Sequence, residues 1–572
     1  MKYNLRIMKT KSLYLTVVIG MMLGFASCDM DYYPSDEQST DVILQEANAM
    51  IIDGCYSQLK DEVEYLGWPS GNTYCRHFFQ MAEFPADNIC LSGRSTDPLF
   101  QATTYTMTDN LQNVGTLWML GYKIIYMANT LIETLDEKKE DDQQILGEAY
   151  FMRALMHLNM VTLYAKPYHQ SERDNIGVPL RLATISTETK RNSVGEVYDQ
   201  IVKDLKKAAE LMGPSRGNAG YPSHDAALGL LSRVYLYMED YTECINIVDK
   251  MLNGELPASK LDPDLASYFA KAKTSSETLF CIAHESIEDR GQSSIGSMYN
   301  ADGGGWGEIY PSFPLLALYE RYPMDIRYSS FIIPQYKDDK ASTVLSAYIP
   351  VGKVGSEEKR DVQMVGVNKD ATTGLYSFFN ESGQKYTIDT VPGEYHEYYI
   401  KNYNGAGDSV SVLIMPNNLL TRYTYPKIFV TKFSYQDGIP TLSSPVVLRW
   451  AEVLLNAAEA YARKQTPADD TKALDLVNVI RTRAGIPTTG LFSSSNMHGY
   501  SSVIDVVMDE RRLELAFEGH RMFDVYRNKQ NMDRRYPGVQ SWKIVNYSDP
   551  HTQYPIPYAE WTVSGIEQNP EY

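Results

Sequence analysis

The feature that most constrains the fold of this chain is the helical spacing of its apolar residues. In segment after segment, apolar residues lie three and four positions apart, which places them on one face of an α-helix. The segments are 42–59, 114–136, 143–165, 194–212, 224–238, 241–252, 445–464, 468–484 and 500–518. Each predicts an amphipathic helix, so we expect a mostly α fold.

Two of these helices and the turn between them form a unit. One helix begins at Ser193 and the next at Ser223, and a serine side chain caps the free N–H groups of a helix N-terminus. Glycines and prolines within residues 213–222 predict the turn. Such units bury their apolar faces only by stacking on neighbours, as tetratricopeptide repeats do. We therefore predict a tetratricopeptide-like helical repeat scaffold.

The middle of the chain differs from the helical parts on either side. Residues 257–440 are rich in Gly, Pro, Ser, Thr and Tyr, with short alternating segments at 344–351 and 425–433 that predict strands. We divide the body, 41–572, into a helical part at 41–256, this loop-rich insertion, and a helical part with a tail at 441–572. Loops that a rigid scaffold positions commonly carry function, so the insertion is expected to face a ligand.

The N-terminus has the pattern of a bacterial export signal. Four basic residues precede an apolar run at 13–25, which is too short to cross a bilayer comfortably. The small residues Ala26 and Ser27 then stand before Cys28, as in a lipobox. We predict a signal peptide at 1–27, lipidation of Cys28 and a polar tether at 28–40. The alternative is an ordinary secretory signal with a chance cysteine.

Charge and cysteine spacing exclude several classes of function. The net charge of −19 repels phosphate backbones, so no nucleic-acid partner is expected. The later cysteines lack CxxC spacing, which indicates neither a zinc site nor a disulfide framework; a Cys75–Cys90 bridge is left open. The chain contains no HExxH motif, and its one GxSxG spacing, at 213–217, lies in a turn between two predicted helices and not after a strand as a nucleophile elbow requires. We therefore predict no catalytic metal, cofactor or nucleophile.

Three acidic residues near the C-terminus suggest general acid–base catalysis, but the residues around them favour a structural role. Glu510, Glu514 and Glu518 are spaced to share one helical face, and paired carboxylates can act in general acid–base catalysis. Arginines alternate with them along an apolar helix, which favours structural ion pairs instead. The expected partners on the preceding helix are Arg449, Glu452 and Glu459.

Two aromatic clusters are candidate ligand contacts. Trp306 and Tyr310 lie in the Gly-rich segment 301–312, where glycines allow sharp bends that hold rings outward. Trp68, Tyr74 and Arg76 form the second cluster. An aromatic ring suits the C–H face of a pyranose, but Trp306 can equally pack over the helical body, and ordinary packing is favoured for the second cluster.

A series of sequence blocks resembles the SusD/RagB family in family order, from Cys28 to Tyr572. The blocks are GCYSQL from Gly54, WMLGYKIIYMANTLI from Trp118, GEAYFMRALMHLNMVTLYAKPY from Gly147, SVGEVYDQIVKDLKKA from Ser193, DAALGLLSRVYLYMEDY from Asp225, YPKIFVTKF from Tyr425, VNVIRTRAGIP from Val477, DERRLELAFEGHRMFDVYR from Asp509, and YPIPYAEW with QNPEY at the end. The chain departs from the family at Glu571, where Gly is usual.

The resemblance implies a function as well as a fold. Members of this family are outer-membrane lipoproteins that bind glycans at the cell surface and serve a SusC-like TonB-dependent transporter. The resemblance therefore implies an oligosaccharide ligand, that transporter as partner, and no enzymatic activity. A peptide receptor of the same family, a surface glycoside hydrolase and a protein-binding scaffold are the alternatives.

Overall fold

The computed structural model describes residues 40–65, 67–71, 74–91, 97–170, 172–185, 190–351, 361–390, 398–401 and 410–572. By its internal contacts the chain divides into Met1–Asn48 and Ala49–Tyr572.

The α-helices are α1 (Thr40–Gln58), α2 (Phe79–Glu83), α3 (Phe100–Thr104), α4 (Gln112–Thr134), α5 (Glu140–Tyr164), α6 (Val194–Leu211), α7 (His224–Tyr237), α8 (Tyr241–Leu252), α9 (Leu265–Tyr268), α10 (Ile295–Tyr299), α11 (Phe313–Glu320), α12 (Ile326–Phe331), α13 (Trp450–Lys464), α14 (Pro467–Arg483), α15 (Val503–Glu514), α16 (Arg521–Arg527) and α17 (Tyr558–Ser564).

The strands are short and mostly paired in twos. They are β1 (Val63–Tyr65), β2 (Trp68–Ser70), β3 (Ile89–Leu91), β4 (Thr278–Cys281), β5 (Ile309–Pro311), β6 (Ile332–Pro334), β7 (Leu345–Val351), β8 (Asp361–Gly366), β9 (Asn368–Lys369), β10 (Tyr376–Phe379), β11 (Lys385–Thr390), β12 (Tyr398–Ile400), β13 (Val410–Pro416), β14 (Thr421–Arg422), β15 (Tyr425–Pro426), β16 (Ile428–Val430), β17 (Val446–Arg449), β18 (Met532–Asp533) and β19 (Ile544–Val545).

The prediction of a mostly α fold is confirmed, and the helices begin where the capping residues indicate. The Ser193 side chain accepts from the Glu196 N–H while the Glu196 side chain accepts from the Ser193 N–H, which is a capping box. Ser223 caps α7 through the Ala226 N–H. From α4 to α8 each helix packs on the next, and α13 packs on α7, α8, α14 and α15. These contacts bury the apolar faces in one core.

The insertion holds more strand than we predicted. Seven strands pair antiparallel in the order β8-β7-β13-β12-β11-β10-β9. The two outer strands, β8 and β9, are separated along the chain by Val367 alone. One continuous segment therefore pairs with β7 through Gly366 and with β10 through Asn368, and the sheet closes into a small barrel.

Alternation along the barrel strands gives it an inside and an outside. The inward side chains form a core of their own: Ala347, Ile349, Phe378, Tyr386, Ile388, Ile400 and Val412. Tyr348, Leu413 and Met415 point the other way and join the main core. The barrel interior is filled by side chains, as expected for so few strands, and its outer face anchors it to the helical body.

A network of buried ion pairs lies where β17, α14 and α15 meet. Arg449 donates to Glu277 at 2.9 Å, to Glu514 at 2.6 Å and to Glu518 at 2.8 Å. The network continues to further acidic and basic residues, each with a side chain no more than 5% exposed: Asp325, Arg327, Lys432, Arg481, Arg483 and Glu510. The expected structural role of these charges is confirmed, because every carboxylate of the 510, 514 and 518 series is bonded to a cation.

Three details of this prediction need correction. Arg449 is the last residue of strand β17 and does not lie on a helix. Glu518 is not on the helix that carries Glu510 and Glu514, because α15 ends at Glu514 and Phe517 has a left-handed backbone with φ of 71°. The chain turns there, and Glu518 still reaches Arg449. Glu452 pairs with Arg233 at 2.6 Å, outside the network.

The buried network predicts a loss of stability in acid. Although burial opposes ionisation, the charges of Arg449 and Lys432 lower the pKa of Glu518 to about 2, and Arg483 and Arg449 hold the pKa of Glu514 well below its usual value. A carboxyl with a depressed folded-state pKa stabilises the fold above its unfolded pKa of about 4.3. We expect the free energy of unfolding to fall as pH decreases from about 4.3 towards 2, measured by urea denaturation across that range.

A second buried carboxyl supplies the control. Burial raises the pKa of Glu83 to about 7, so its contribution has the opposite sign and is lost as pH rises from about 4.3 to 7. Glu83→Gln should change the slope above pH 4.3 and leave the acid limb unchanged. An acid limb that disappears in Glu83→Gln would contradict the assignment to Glu514 and Glu518.

The cysteines answer the question of a Cys75–Cys90 disulfide that the sequence left open. Cys55, Cys75, Cys90, Cys244 and Cys281 are buried free thiols, so no Cys75–Cys90 disulfide is present. Within the described residues, no helix has both the length and the apolar character needed to cross a membrane.

Candidate ligand-binding surface

The segment that carries Trp306 is a tightly held loop between α10 and β5, residues 300–308, which we call the tryptophan loop. Gly307 N donates to Ser297 O and Glu308 N to Met298 O, each at 2.9 Å, which ties the end of the loop back to α10. A Cβ at Gly305 would lie 2.1 Å from Asn300 O, closer than any side chain allows. The glycines are therefore needed for the loop to fold back on itself, and the loop has a defined shape.

Trp306 stands on this loop with its ring partly open to solvent. Its side chain is 48% exposed, and its indole N–H donates to Gln292 O at 3.1 Å. Arg422 in β14 donates to Trp306 O at 2.8 Å and to Gly307 O at 3.2 Å. The backbone beneath the ring is thus fixed from two sides while the ring remains accessible, which suits a preformed platform for a flat ligand.

A cavity of about 310 Å³ borders the same loop. Its polar lining comprises Asn300, Asp302, Ser330, Gln335, Thr431, Ser434 and Tyr435. Its apolar lining comprises Ala266, Phe269, Ala270, Phe331, Ile333 and Phe429. Aromatic rings beside neutral hydrogen-bonding groups match the amphipathic surface of a sugar. We call this the loop cavity.

Asn300, Asp302 and Tyr435 are hydrogen-bonded to one another at the wall of the loop cavity. Asn300 Nδ2 donates to the Tyr435 hydroxyl at 3.2 Å, and that hydroxyl donates to the Asp302 carboxylate. Burial and the hydrogen bond to Asp302 raise the pKa of Tyr435, so its hydroxyl stays protonated. Tyr435 is 38% exposed and has a left-handed backbone with φ of 67°. Non-glycine residues in that region are often found at functional sites.

The floor of the loop cavity rests on the buried ion network. Lys432 Nζ lies 4.9 Å from the ring centre of Phe269 and donates to Glu518 at 2.8 Å. The Arg449 guanidinium lies 5.6 Å from the same ring. These cations are buried and paired, so they position the ring without contributing an exposed charge to the cavity.

Two of the predicted contact residues are buried. Tyr310 is 1% exposed because β5 pairs with β3, which places it opposite Cys90 inside the protein. Tyr74 is 1% exposed, its ring stacks on Phe78 at 5.1 Å, and its hydroxyl accepts from Asn159 at 2.6 Å. Neither ring is presented to solvent, so we leave both out of the proposed site.

Arg76, Trp68 and Cys28 are the remaining predicted residues. Arg76 is partly exposed but bonded to Asp97 at 2.8 Å. Trp68 begins β2, and its side chain lies outside the described residues, as does Cys28. Gly71, just after β2, lies beside Ser293, since a Cβ at Gly71 would be 3.4 Å from the Ser293 side chain. Ser293 follows Gln292, whose carbonyl accepts from the Trp306 indole, so both candidate segments approach residues 292–293.

Sequence reasoning missed the polar residues of the loop cavity. Asn300 and Asp302 stand just before the glycines that drew attention to Trp306, but Ser434 and Tyr435 lie more than a hundred residues further on. Only the fold brings them together. Within the part of the chain that the structure describes, no group of three His, Cys, Asp or Glu side chains is arranged to hold a metal ion.

Two protein-family models match this chain, one in its N-terminal half and one in its C-terminal half. The model described as "SusD family" matches residues 276–572, and the model described as "Starch-binding associating with outer membrane" matches residues 51–236. SusD-like protein P2 from Formosa agariphila is 23% identical over 448 residues, covering 75% of this chain and 74% of that protein.

Solved structures show the same fold. A SusD superfamily protein from Bacteroides thetaiotaomicron matches with a TM-score of 0.66 at 21% identity, covering 92% of this chain and all of that one (100%). One from Bacteroides vulgatus matches with a TM-score of 0.65 at 21% identity, covering 92% and 99%. A laminarin-binding SusD-like protein matches with a TM-score of 0.57 at 18% identity, covering 93% and 99%.

Proposed function

This chain belongs to the SusD family, and from that premise we propose that it is a cell-surface lipoprotein that binds oligosaccharides and delivers them to a SusC-like TonB-dependent outer-membrane transporter. The observation that carries the proposal is the exposed Trp306 ring on a rigid loop beside a cavity with a largely neutral polar lining. An indole face and clustered hydroxyl and amide groups together suit the two faces of a pyranose. We place the activity in binding and not in bond cleavage.

The proposed route to the surface follows from the N-terminal sequence. Residues 1–27 would be removed as a signal peptide, Cys28 would carry the lipid, and residues 28–40 would form the tether to a tetratricopeptide-like body. The match to a family described as associating with the outer membrane supports this location. A receptor held beside its transporter works at high effective concentration, so micromolar to millimolar intrinsic affinity suffices.

The family's peptide receptors are the main alternative. Recognition of a peptide would call for charged groups, including cations for its carboxylate. The lining of the loop cavity holds one carboxylate, Asp302, and four aromatic rings: Phe269, Phe331, Phe429 and Tyr435. That composition favours a saccharide.

Calorimetric titration of the purified protein tests the proposal. The panel contains neutral oligosaccharides of two to six units in several linkages, including a laminarin series, beside a tryptic peptide mixture. We expect one linkage class to bind with Kd between about 1 μM and 1 mM and the peptides not to bind. Binding of peptides without any saccharide would contradict the proposal. Co-purification with a neighbouring β-barrel transporter tests the partner separately.

A further inference from the structure

Ser434 is a buried polar residue of the loop cavity. Its side chain lines the loop cavity and is 2% exposed. Among the described residues, no group forms a hydrogen bond with its hydroxyl oxygen. Buried hydroxyls in folded proteins are nearly always hydrogen-bonded, so one without a partner calls for an explanation. A ligand hydroxyl in the cavity would supply the missing hydrogen bond.

The charge of the loop cavity limits what that ligand can be. Asp302 is the one acidic residue of its described lining, and no Lys, Arg or His belongs to that lining. Of the nearby cations, Lys432 is held by Glu518, and Arg422 donates to the carbonyls of Trp306 and Gly307. Lys427 does not belong to the lining and lies over the Phe429 ring, 4.9 Å from its centre. A carboxylate or sulfate placed here would meet a carboxylate with no cation in the lining to compensate it.

The loop cavity has the volume of a small ligand site and lies close to Trp306. Its volume of about 310 Å³ is at the lower end of the range of about 300–1,000 Å³ for small-molecule sites. Asp302 and Trp306 are four residues apart, so their Cα atoms are separated by at most about 14 Å. A short oligosaccharide can therefore stack on the ring and place one unit in the cavity.

We propose that the loop cavity is a subsite for one neutral sugar unit, bound through Ser434 and the Asn300, Asp302 and Tyr435 group, and that it rejects uronate and sulfated units. This inference rests on the proposed glycan-binding function and specifies its ligand class. The Asp302 carboxylate accepts from a sugar hydroxyl, while Asn300 and Ser434 offer neutral partners. The uncompensated carboxylate of Asp302 repels anionic units, so it contributes to selectivity as much as the hydrogen bonds do.

Ser434→Ala separates a binding role from a structural one. Removing a hydroxyl that has no partner should leave the melting temperature unchanged or raise it. The same variant should weaken binding of the neutral oligosaccharide found in the panel by about three- to tenfold, the loss of one hydrogen bond. Ser232→Ala is the matched control, because Ser232 is buried and donates to Gly229 O at 2.6 Å in α7. It should lower the melting temperature and leave the affinity unchanged.

The charge prediction uses a neutral oligosaccharide and the uronate of the same linkage and length. We expect the wild-type protein to bind the neutral chain at least about tenfold more tightly, and Asp302→Asn to narrow that ratio. Asn retains an acceptor for the Tyr435 hydroxyl.

Three outcomes would overturn part or all of the proposal. If Ser434→Ala binds as the wild type while Trp306→Ala does not bind, the subsite is wrong and only the Trp306 contact is retained. If the wild type prefers the uronate, the neutral subsite is wrong. If no glycan binds the wild type, the function itself fails.

Discussion

Arg449→Met is expected to destabilise the protein by about 3–5 kcal/mol, the largest stability effect that we predict for a single substitution. Arg449 is 1% exposed and contacts Glu277, Glu514 and Glu518. Methionine keeps most of the side-chain volume but removes the charge. The three buried carboxylates then share fewer cations, and burying a charge without compensation is costly. Urea denaturation of both proteins at pH 7 measures the difference.

Arg173→Met is the matched control for this experiment. Arg173 pairs with Asp199, and the two side chains are 51% and 53% exposed. The same chemical change at an exposed pair should alter stability little, because water already solvates both charges. Equal losses in the two variants would contradict the network argument. A change of less than about 1 kcal/mol in Arg449→Met would show that the remaining cations, chiefly Arg483 and Lys432, compensate fully.

The helical framework could be predicted from sequence because its determinants are local. The segment at 194–212 became α6 at Val194–Leu211, and the segment at 143–165 became α5 at Glu140–Tyr164. Apolar spacing and a capping serine act within a few residues, so one sequence is enough to find them. The ion pairs were also foreseeable, since charges within an apolar helix must find partners.

The barrel and the loop cavity depend on contacts that no local pattern contains. The alternating segment at 344–351 predicts a strand and became β7, but closure of the barrel requires that the segment around Val367 pair on both sides. At Tyr310 a local pattern gave the wrong result. The glycines upstream suggested an exposed ring, but pairing of β5 with β3 buries it. Register and pairing are tertiary properties, and the position of a side chain within a strand decides whether it is buried.

Trp306→Ala is expected to reduce glycan affinity by about thirtyfold or more with only a small loss of stability. Trp306 is 48% exposed, so its removal loses one hydrogen bond and some packing but leaves no internal cavity of the kind that destabilises a core. A tryptophan at the centre of a binding surface commonly contributes about 2 kcal/mol or more, which corresponds to that change in Kd. Calorimetric titration with the oligosaccharide that binds the wild type measures it, and thermal unfolding measures stability.

Trp561→Ala provides the comparison. Trp561 in α17 is also partly exposed, at 37%, and its indole N–H also makes one hydrogen bond, to Asp109 at 2.8 Å. It does not belong to the tryptophan loop or to the lining of the loop cavity. Loss of affinity in Trp306→Ala but not in Trp561→Ala would locate the platform on the loop. Equal affinity in both variants and the wild type would contradict a ligand site at Trp306, and a loss only in Trp561→Ala would move the site to the surface of α17.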